Sequence, residues 1–163
     1  MSLSRKPVII IVHGAWHRPL HYINVVSSLK DLGYTVEIPA LATSGWEETV
    51  TEKTLDDDVD IIRRSMMPHL EAGEEIVMVC HSFGGIPGTD SVVGESVQER
   101  KAKGLEGGIK AVVFIAAFAS PQGGLSLFDI VGIKDESQIP SWWSFEVRTF
   151  RLVRITSSEI LTS

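Results

Sequence analysis

The sequence predicts an α/β fold, a doubly wound and mainly parallel sheet with helices on both faces. Strand-like and helix-like segments alternate along the chain, and the strand-like runs are strongly apolar. Such runs are typical of strands buried on both faces of a parallel sheet. The four runs are VIIIV at 8–12, YTVEIP at 34–39, EIVMVC at 75–80 and IKAVVFIAAFA at 109–119. The chain has 163 residues, enough for one domain with a buried core.

The segments between these runs have helical patterns. The segment 19–33 opens with proline, closes with glycine and has apolar residues at near-helical spacing, namely Leu20, Ile23, Val26 and Leu29. The segment 54–73 has acidic residues in its first turns, which suits the helix dipole, and an apolar face formed by Leu55, Val59, Ile62 and Met66. A third helix is predicted from Ser82 to about Arg100. Pro87 is expected to distort its first turn, because proline cannot donate the helical hydrogen bond.

Composition excludes several classes of function. The formal net charge is −6 and there is no dense run of Lys or Arg, so nucleic acid and anionic membranes are poor candidate partners. Cys80 is the single cysteine, which excludes an internal disulfide and a cysteine-based zinc site. The apolar run at 8–12 is shorter than that of a signal peptide, and no stretch has the length to span a bilayer. These features predict a cytoplasmic protein.

The stretch VMVCHSFGG, residues 77–85, predicts a nucleophilic serine. A nucleophile elbow holds a serine in a strained turn between a strand and a helix, with small residues two positions before and after it. Here Ser82 has Gly84 after it, while Cys80 stands where glycine is usual. The alternative is a serine that caps an ordinary helix, followed by glycines that pack.

The loop HGAWH, residues 13–17, follows the first strand and is predicted to complete the site. Attack on a carbonyl creates an oxyanion, which needs two preorganised N–H donors. The N–H of Phe83 follows the nucleophile, and a turn at Gly14 would direct the N–H of Ala15 into the same space. His13 is interpreted as a residue that braces the loop, whereas Trp16 and His17 line or support the pocket.

These motifs resemble the α/β-hydrolase superfamily, in particular its small esterases, which include plant-type methylesterases and hydroxynitrile lyases. The resemblance covers about residues 7–145 and includes VHGAWH, IPALATSG, CHSFGG and PSWW. It implies a small ester-like substrate, no cofactor and no metal. It also implies Ser82 as nucleophile and Ala15 and Phe83 as oxyanion donors. The supporting residues are His13, Gly14, Trp16, His17, His81 and Gly84.

The resemblance also predicts the domain organisation. Residues 1–120 would form the N-terminal part of the hydrolase core, 121–146 the start of a cap region, and 147–163 a tail without family resemblance. The chain is therefore expected to be truncated at its C-terminus. The far edge of the run at 109–119 would then be bare unless the tail at 147–163 folds over it, and a bare edge predicts self-association through this run.

The five histidines, at positions 13, 17, 21, 69 and 81, all precede Ser82. The family order is serine, then acid, then histidine. Neither Asp129 nor Asp135 is assigned as the acid. Weak or no activity is therefore expected, and the alternative is an inactive fragment that acts as a binding module or has no function. A nucleotide-binding fold is disfavoured, because the first strand is not followed by a G-x-G-x-x-G pattern.

Overall fold

The computed structural model describes residues 5–45, 47–120 and 123–138. Its four strands form one parallel sheet in the order β2-β1-β3-β4. The strands are β1 (Val8–Val12), β2 (Val36–Glu37), β3 (Glu75–His81) and β4 (Gly108–Ile115). The predicted tail at 147–163 lies outside the described residues, as does the last part of the predicted cap region.

Helices connect the strands and continue beyond the last one. The α-helices are α1 (Ile23–Asp31), α2 (Glu47–Val50), α3 (Leu55–Glu71), α4 (Gly85–Ser91), α5 (Val97–Ala102) and α6 (Leu127–Val131). Short 3₁₀ turns occupy Pro19–Tyr22, Ser82–Gly84 and Glu136–Gln138. The predicted α/β fold with a parallel sheet is confirmed.

The sheet is covered on both faces, which explains its apolar strands. Every residue of β1 is buried. Alternate residues of β1 belong to two clusters: Val8, Ile10 and Val12 pack with α3, while Ile9 and Ile11 pack towards α1. A central parallel strand buried in this way cannot show a polar alternation.

Several predicted elements are shorter in the structure. The strand predicted at 34–39 pairs with β1 over two residues only, and the run at 109–119 leaves the sheet after Ile115, where Ala116 has a φ of 43°. The helix predicted from Ser82 to Arg100 is interrupted. It begins as a 3₁₀ turn, continues as α4 and stops before α5. The irregular first turn expected near Pro87 is present.

The apolar face predicted for the first helical segment is only partly used. Val26 and Leu29 pack against the sheet, whereas Leu20 and Ile23 are 62% and 64% exposed. Their spacing predicted one continuous buried stripe. Leu20 lies in the 3₁₀ turn before α1, where the helical period changes, so its side chain does not follow the face that packs. Ile23 is the first residue of α1.

A cluster of ionisable groups joins β2, α3 and the start of β3. The His69 ring lies between two carboxylates, with Nε2 2.9 Å from Glu37 Oε1 and Nδ1 2.6 Å from Glu74 Oε2, and the protonated ring donates to both. Ser65 donates to Glu37, and Arg5 forms an ion pair with Glu74. Burial alone would lower the pKa of His69, but its bonds to the two carboxylates outweigh burial and raise it. Burial alone would raise the pKa of Glu37, but its hydrogen bonds with Ser65 and His69 outweigh burial and lower it.

This cluster predicts a defined dependence of stability on pH. The contribution of His69 is complete below its ordinary pKa of 6.5 and is lost as pH rises through its raised folded-state pKa. The contribution of Glu37 is present above its ordinary pKa of 4.5 and is lost as pH falls through its lowered folded-state value. We expect His69→Gln to reduce the free energy of unfolding near pH 6 by about 1–3 kcal/mol, the range for hydrogen bonds to charged groups.

Urea unfolding of the wild type and of His69→Gln across pH tests this expectation. His21→Gln is the matched control, because His21 is exposed and lies outside the cluster. An unchanged pH dependence in His69→Gln would contradict the assignment of the pH effect to His69.

Candidate active site

Ser82 lies at a sharp turn between β3 and α4. Its φ is 52°, in the left-handed region that a serine adopts at an energetic cost. A 3₁₀ turn, Ser82–Gly84, follows at once, and α4 continues from it. The N–H of Phe118, beyond the end of β4, donates to the Ser82 carbonyl over 3.1 Å. The turn is therefore held by the neighbouring strand as well as by its own helix.

The small residues of the motif are required by close packing. A Cβ at Gly84 would lie 2.5 Å from the carbonyl oxygen of Val12 and 2.6 Å from that of His13, so a side chain cannot fit there. Cys80 is fully buried, and a Cβ at Gly88 would collide with its sulfur. Burial raises the pKa of Cys80 to about 12, so this thiol stays protonated and serves as a packing group.

The loop after β1 lies directly against Ser82. A Cβ placed on Gly14 would be 3.0 Å from the Ser82 Cβ, 3.0 Å from His81 Nδ1 and 3.3 Å from His17 Nδ1. The N–H of His17 donates to the Gly14 carbonyl, and Trp16 has a φ of 59°, so the loop is a tight turn. The two segments predicted to form the site therefore meet, and glycine at position 14 permits their approach.

The remaining sequence-predicted residues occupy the two sides of this contact. Ala15 follows Gly14 and is half-buried, and Phe83 follows Ser82 and is half-buried. Trp16 is 63% exposed. The N–H groups predicted to form an oxyanion hole therefore belong to the residues that follow Gly14 and Ser82, where the loop and the turn come closest.

His13 is buried, and both of its ring nitrogens have partners. Nδ1 lies 2.9 Å from the Gly14 carbonyl oxygen, so it donates, and Nε2 accepts from the N–H of Leu41 over 3.1 Å. Burial lowers the pKa of His13, which favours the neutral ring. The side chain thus connects the loop after β1 to the loop after β2, and a proton transfer to it would break one of these bonds.

Tyr22 is a site residue that sequence reasoning missed. Its hydroxyl accepts from the N–H of Gly14 over 3.2 Å and lies 2.8 Å from His81 Nδ1. No local sequence pattern predicts that Tyr22 contacts His81, because the two residues are 59 positions apart in the sequence.

A cavity of about 320 Å³ opens beside these groups. It is lined by Trp16, His17, His21, Tyr22 and His81. The His17 and His81 rings meet edge to face with their centres 5.2 Å apart, and His17 Nδ1 donates to the Ala15 carbonyl over 3.0 Å. The cavity is thus bounded by aromatic rings that carry hydrogen-bonding nitrogens, a surface suited to a small organic molecule.

Within residues 5–45, 47–120 and 123–138, no group of histidine, cysteine and acidic side chains has the arrangement of a metal site. In the same part of the chain, no helix combines the length and the apolar character needed to cross a membrane.

A parallel sheet with a positive-φ serine between a central strand and the next helix defines the α/β-hydrolase class of proteins. A sequence profile of the alpha/beta hydrolase family matches residues 9–158 of this chain. The chain belongs to the alpha/beta hydrolase family.

Curated relatives agree with this assignment, and a solved structure has a similar fold. The chain is 37% identical over 124 residues to the alpha/beta hydrolase nvfD of Aspergillus novofumigatus, an alignment that covers 72% of this chain and 46% of that protein. It is 33% identical over 85 residues to methylesterase 2 of Arabidopsis thaliana, covering 51% of this chain and 32% of that protein. A crystal structure of a polyneuridine aldehyde esterase variant aligns with a TM-score of 0.61 and 19% identity, covering 84% of this chain and 49% of that one. The chain spans about half the length of the curated relatives it matches.

Proposed function

We propose that this chain carries the nucleophile half of a serine-type hydrolase for small ester or similar acyl substrates. The observation that carries the proposal is the left-handed φ of 52° at Ser82, beside Gly14 of the loop after β1. A strained serine at this junction exposes its hydroxyl for attack, and the strain is a cost that a simple helix cap would not require. The name of the Arabidopsis relative, a methylesterase, supports an ester substrate.

The proposed chemistry follows from the positions of these groups. The Ser82 Oγ would attack the substrate carbonyl carbon, and the N–H groups of Ala15 and Phe83 would stabilise the oxyanion. The proton of the serine hydroxyl has to pass to a base, and the α/β-hydrolase order places that histidine after the serine. In this 163-residue sequence, no histidine follows Ser82. We therefore propose weak or no turnover for this polypeptide by itself.

The proposed domain organisation keeps residues 1–120 as the hydrolase core and 121–146 as the start of a cap region. The carboxylate of Asp129 accepts from the N–H and hydroxyl of Ser126, a capping box at the start of α6. Because the Asp129 carboxylate is engaged in capping its own helix, we do not assign Asp129 as the catalytic acid.

A second candidate function is an inactive module that binds a small molecule in the cavity lined by residues that include His17, Tyr22 and His81. The absence of a histidine after Ser82 favours it. The two candidates differ in whether Ser82 reacts more readily than other serines.

Reaction with a fluorophosphonate tests the proposed nucleophile. We expect prolonged incubation near pH 9 to modify Ser82 at least about tenfold faster than any other serine, because an oxyanion hole retains roughly 10³–10⁴-fold catalysis over water without the triad. Peptide mass spectrometry locates the adduct. Ser82→Ala should abolish it, whereas Ser27→Ala, on the exposed surface of α1, should not. Modification of serines without preference for Ser82 would refute the hydrolase and favour the binding module.

We also propose that the chain self-associates through the outer edge of β4. Among the residues that the structure describes, β4 pairs with β3 alone and stands at the end of the sheet. Val113 and Ile115 are 43% and 52% exposed on this strand. An apolar strand with unpaired backbone groups is a template for pairing with another copy.

A further inference from the structure

The Tyr22 hydroxyl connects three parts of the site at one point. It belongs to the 3₁₀ turn before α1, it accepts from Gly14 in the loop after β1, and it lies 2.8 Å from His81 at the end of β3. Gly14 is the residue whose β-position would contact the Ser82 Cβ. The phenol thus links the loop to the residue that immediately precedes the serine.

The hydrogens at this point can be assigned from the donor inventory. A phenol has one proton, and the bond from Gly14 uses the phenol oxygen as an acceptor. The contact with His81 Nδ1 remains for the phenol proton, and in that arrangement Nδ1 accepts it. The opposite tautomer, with Nδ1–H donating to the second lone pair of the phenol oxygen, would leave the phenol proton without a hydrogen-bond acceptor among the described residues. Burial raises the pKa of Tyr22, although the bond from Gly14 opposes this, and the phenol stays protonated. Burial, and then the nearby His17, lower the pKa of His81, which favours the neutral ring.

We infer that Tyr22 is a positioning residue that holds the loop 13–17 against the serine turn and keeps the His81 proton on Nε2. The catalytic part of this inference rests on the proposed function. Two consequences follow for the chemistry. The N–H of Gly14 is occupied by the phenol, so the loop offers the next N–H, that of Ala15, to a substrate. His81 has its Nδ1 lone pair engaged and its Nε2 protonated, so it cannot accept the proton of Ser82 while the bond from Tyr22 is intact.

The tautomer is tested in the wild-type chain without any substitution. Long-range ¹⁵N–¹H spectra of the histidine rings, recorded above neutral pH, distinguish the protonated ring nitrogen from the unprotonated one. We expect His81 to have its proton on Nε2. A proton predominantly on Nδ1 would overturn the inference.

The positioning role is tested with Tyr22→Phe, which keeps the ring and removes only the hydroxyl. The chain has two tyrosines, and Tyr34→Phe is the matched control, because Tyr34 packs under Lys6 away from the serine. In Tyr22→Phe we expect the His81 spectrum to shift towards a mixture of tautomers. The rate of Ser82 modification by the fluorophosphonate should fall about tenfold, the effect of losing roughly one positioned hydrogen bond. Tyr34→Phe should match the wild type in both measurements.

The outcomes separate this inference from the proposed function. If Ser82 is modified equally fast in Tyr22→Phe and wild type, both with native circular dichroism spectra, the positioning role is wrong and the hydrolase proposal stands. If Tyr22→Phe does not fold, the His81 tautomer of the wild type still decides the hydrogen-bond assignment. If the wild type shows no preference for Ser82, the proposed function fails, and the His81 tautomer alone decides whether Tyr22 positions the ring.

Discussion

Turnover of simple esters by the 163-residue chain is expected to be about 10⁶-fold slower than by a serine hydrolase with a complete triad. Removing the base from such a triad costs about as much as removing all three members, because the groups act as a unit. Three of the histidines near Ser82 already have hydrogen-bond partners. His13 is bonded at both nitrogens, and His81 accepts from Tyr22 at Nδ1. His21 accepts from the N–H of Arg18 at Nδ1, so its proton also stands on Nε2.

A panel of simple esters with the purified chain measures this deficit, and Ser82→Ala is expected to change the rate little. A full-length α/β hydrolase with a complete triad, assayed in parallel on the same esters, supplies the reference rate. Robust turnover by the 163-residue chain that Ser82→Ala abolishes would contradict the expectation. His17 would then be the first residue to substitute, because its Nδ1 donates to the Ala15 carbonyl and leaves a lone pair on Nε2. His21→Gln would be the control for His17→Gln.

Sedimentation of the purified chain is expected to show concentration-dependent self-association, which Val113→Lys weakens at least about tenfold. Two copies related by a two-fold axis would pair their β4 edges antiparallel. Val113 lies within β4, so a lysine there in each copy would place two positive charges along the shared edge, where they repel. A charge on an edge strand is also a common protection against such pairing.

Val25→Lys is the matched control for this prediction. Val25 lies on α1 and is 52% exposed. The substitution therefore introduces the same charge at an exposed apolar position away from the β4 edge. We expect Val25→Lys to sediment like the wild type. A wild-type chain that remains monomeric at all concentrations, with one sharp unfolding transition, would refute pairing through β4.

Local conformational demands explain what could be predicted of the site. Ser82 needs a left-handed backbone at the strand end, and Gly84 must approach the carbonyls of Val12 and His13. These demands restrict the residue types near the turn, so they are visible in a short stretch of sequence. The parallel sheet was predictable for a similar reason, since burial on both faces requires continuous apolar runs.

Contacts between distant segments explain what could not be predicted. The bond between Tyr22 and His81 joins residues 59 apart in sequence, and it exists because β1 and β3 are neighbours in the sheet. The bonds that determine the protonation of His13 and His81 arise in the same way. Strand lengths also depend on partners, as the two-residue pairing of β2 illustrates.

The amino-acid sequence by itself determined the class of fold, the strand–helix junction at Ser82 and the loop that faces it. Each of these follows from hydrophobic pattern or from backbone conformations that only certain residues tolerate. The tertiary structure alone decided which histidines have a free nitrogen, how Tyr22 joins the loop to the serine turn, and that β4 ends the described sheet. Hydrogen-bond partners and sheet neighbours depend on the distance between segments in space, which no local pattern of residues encodes.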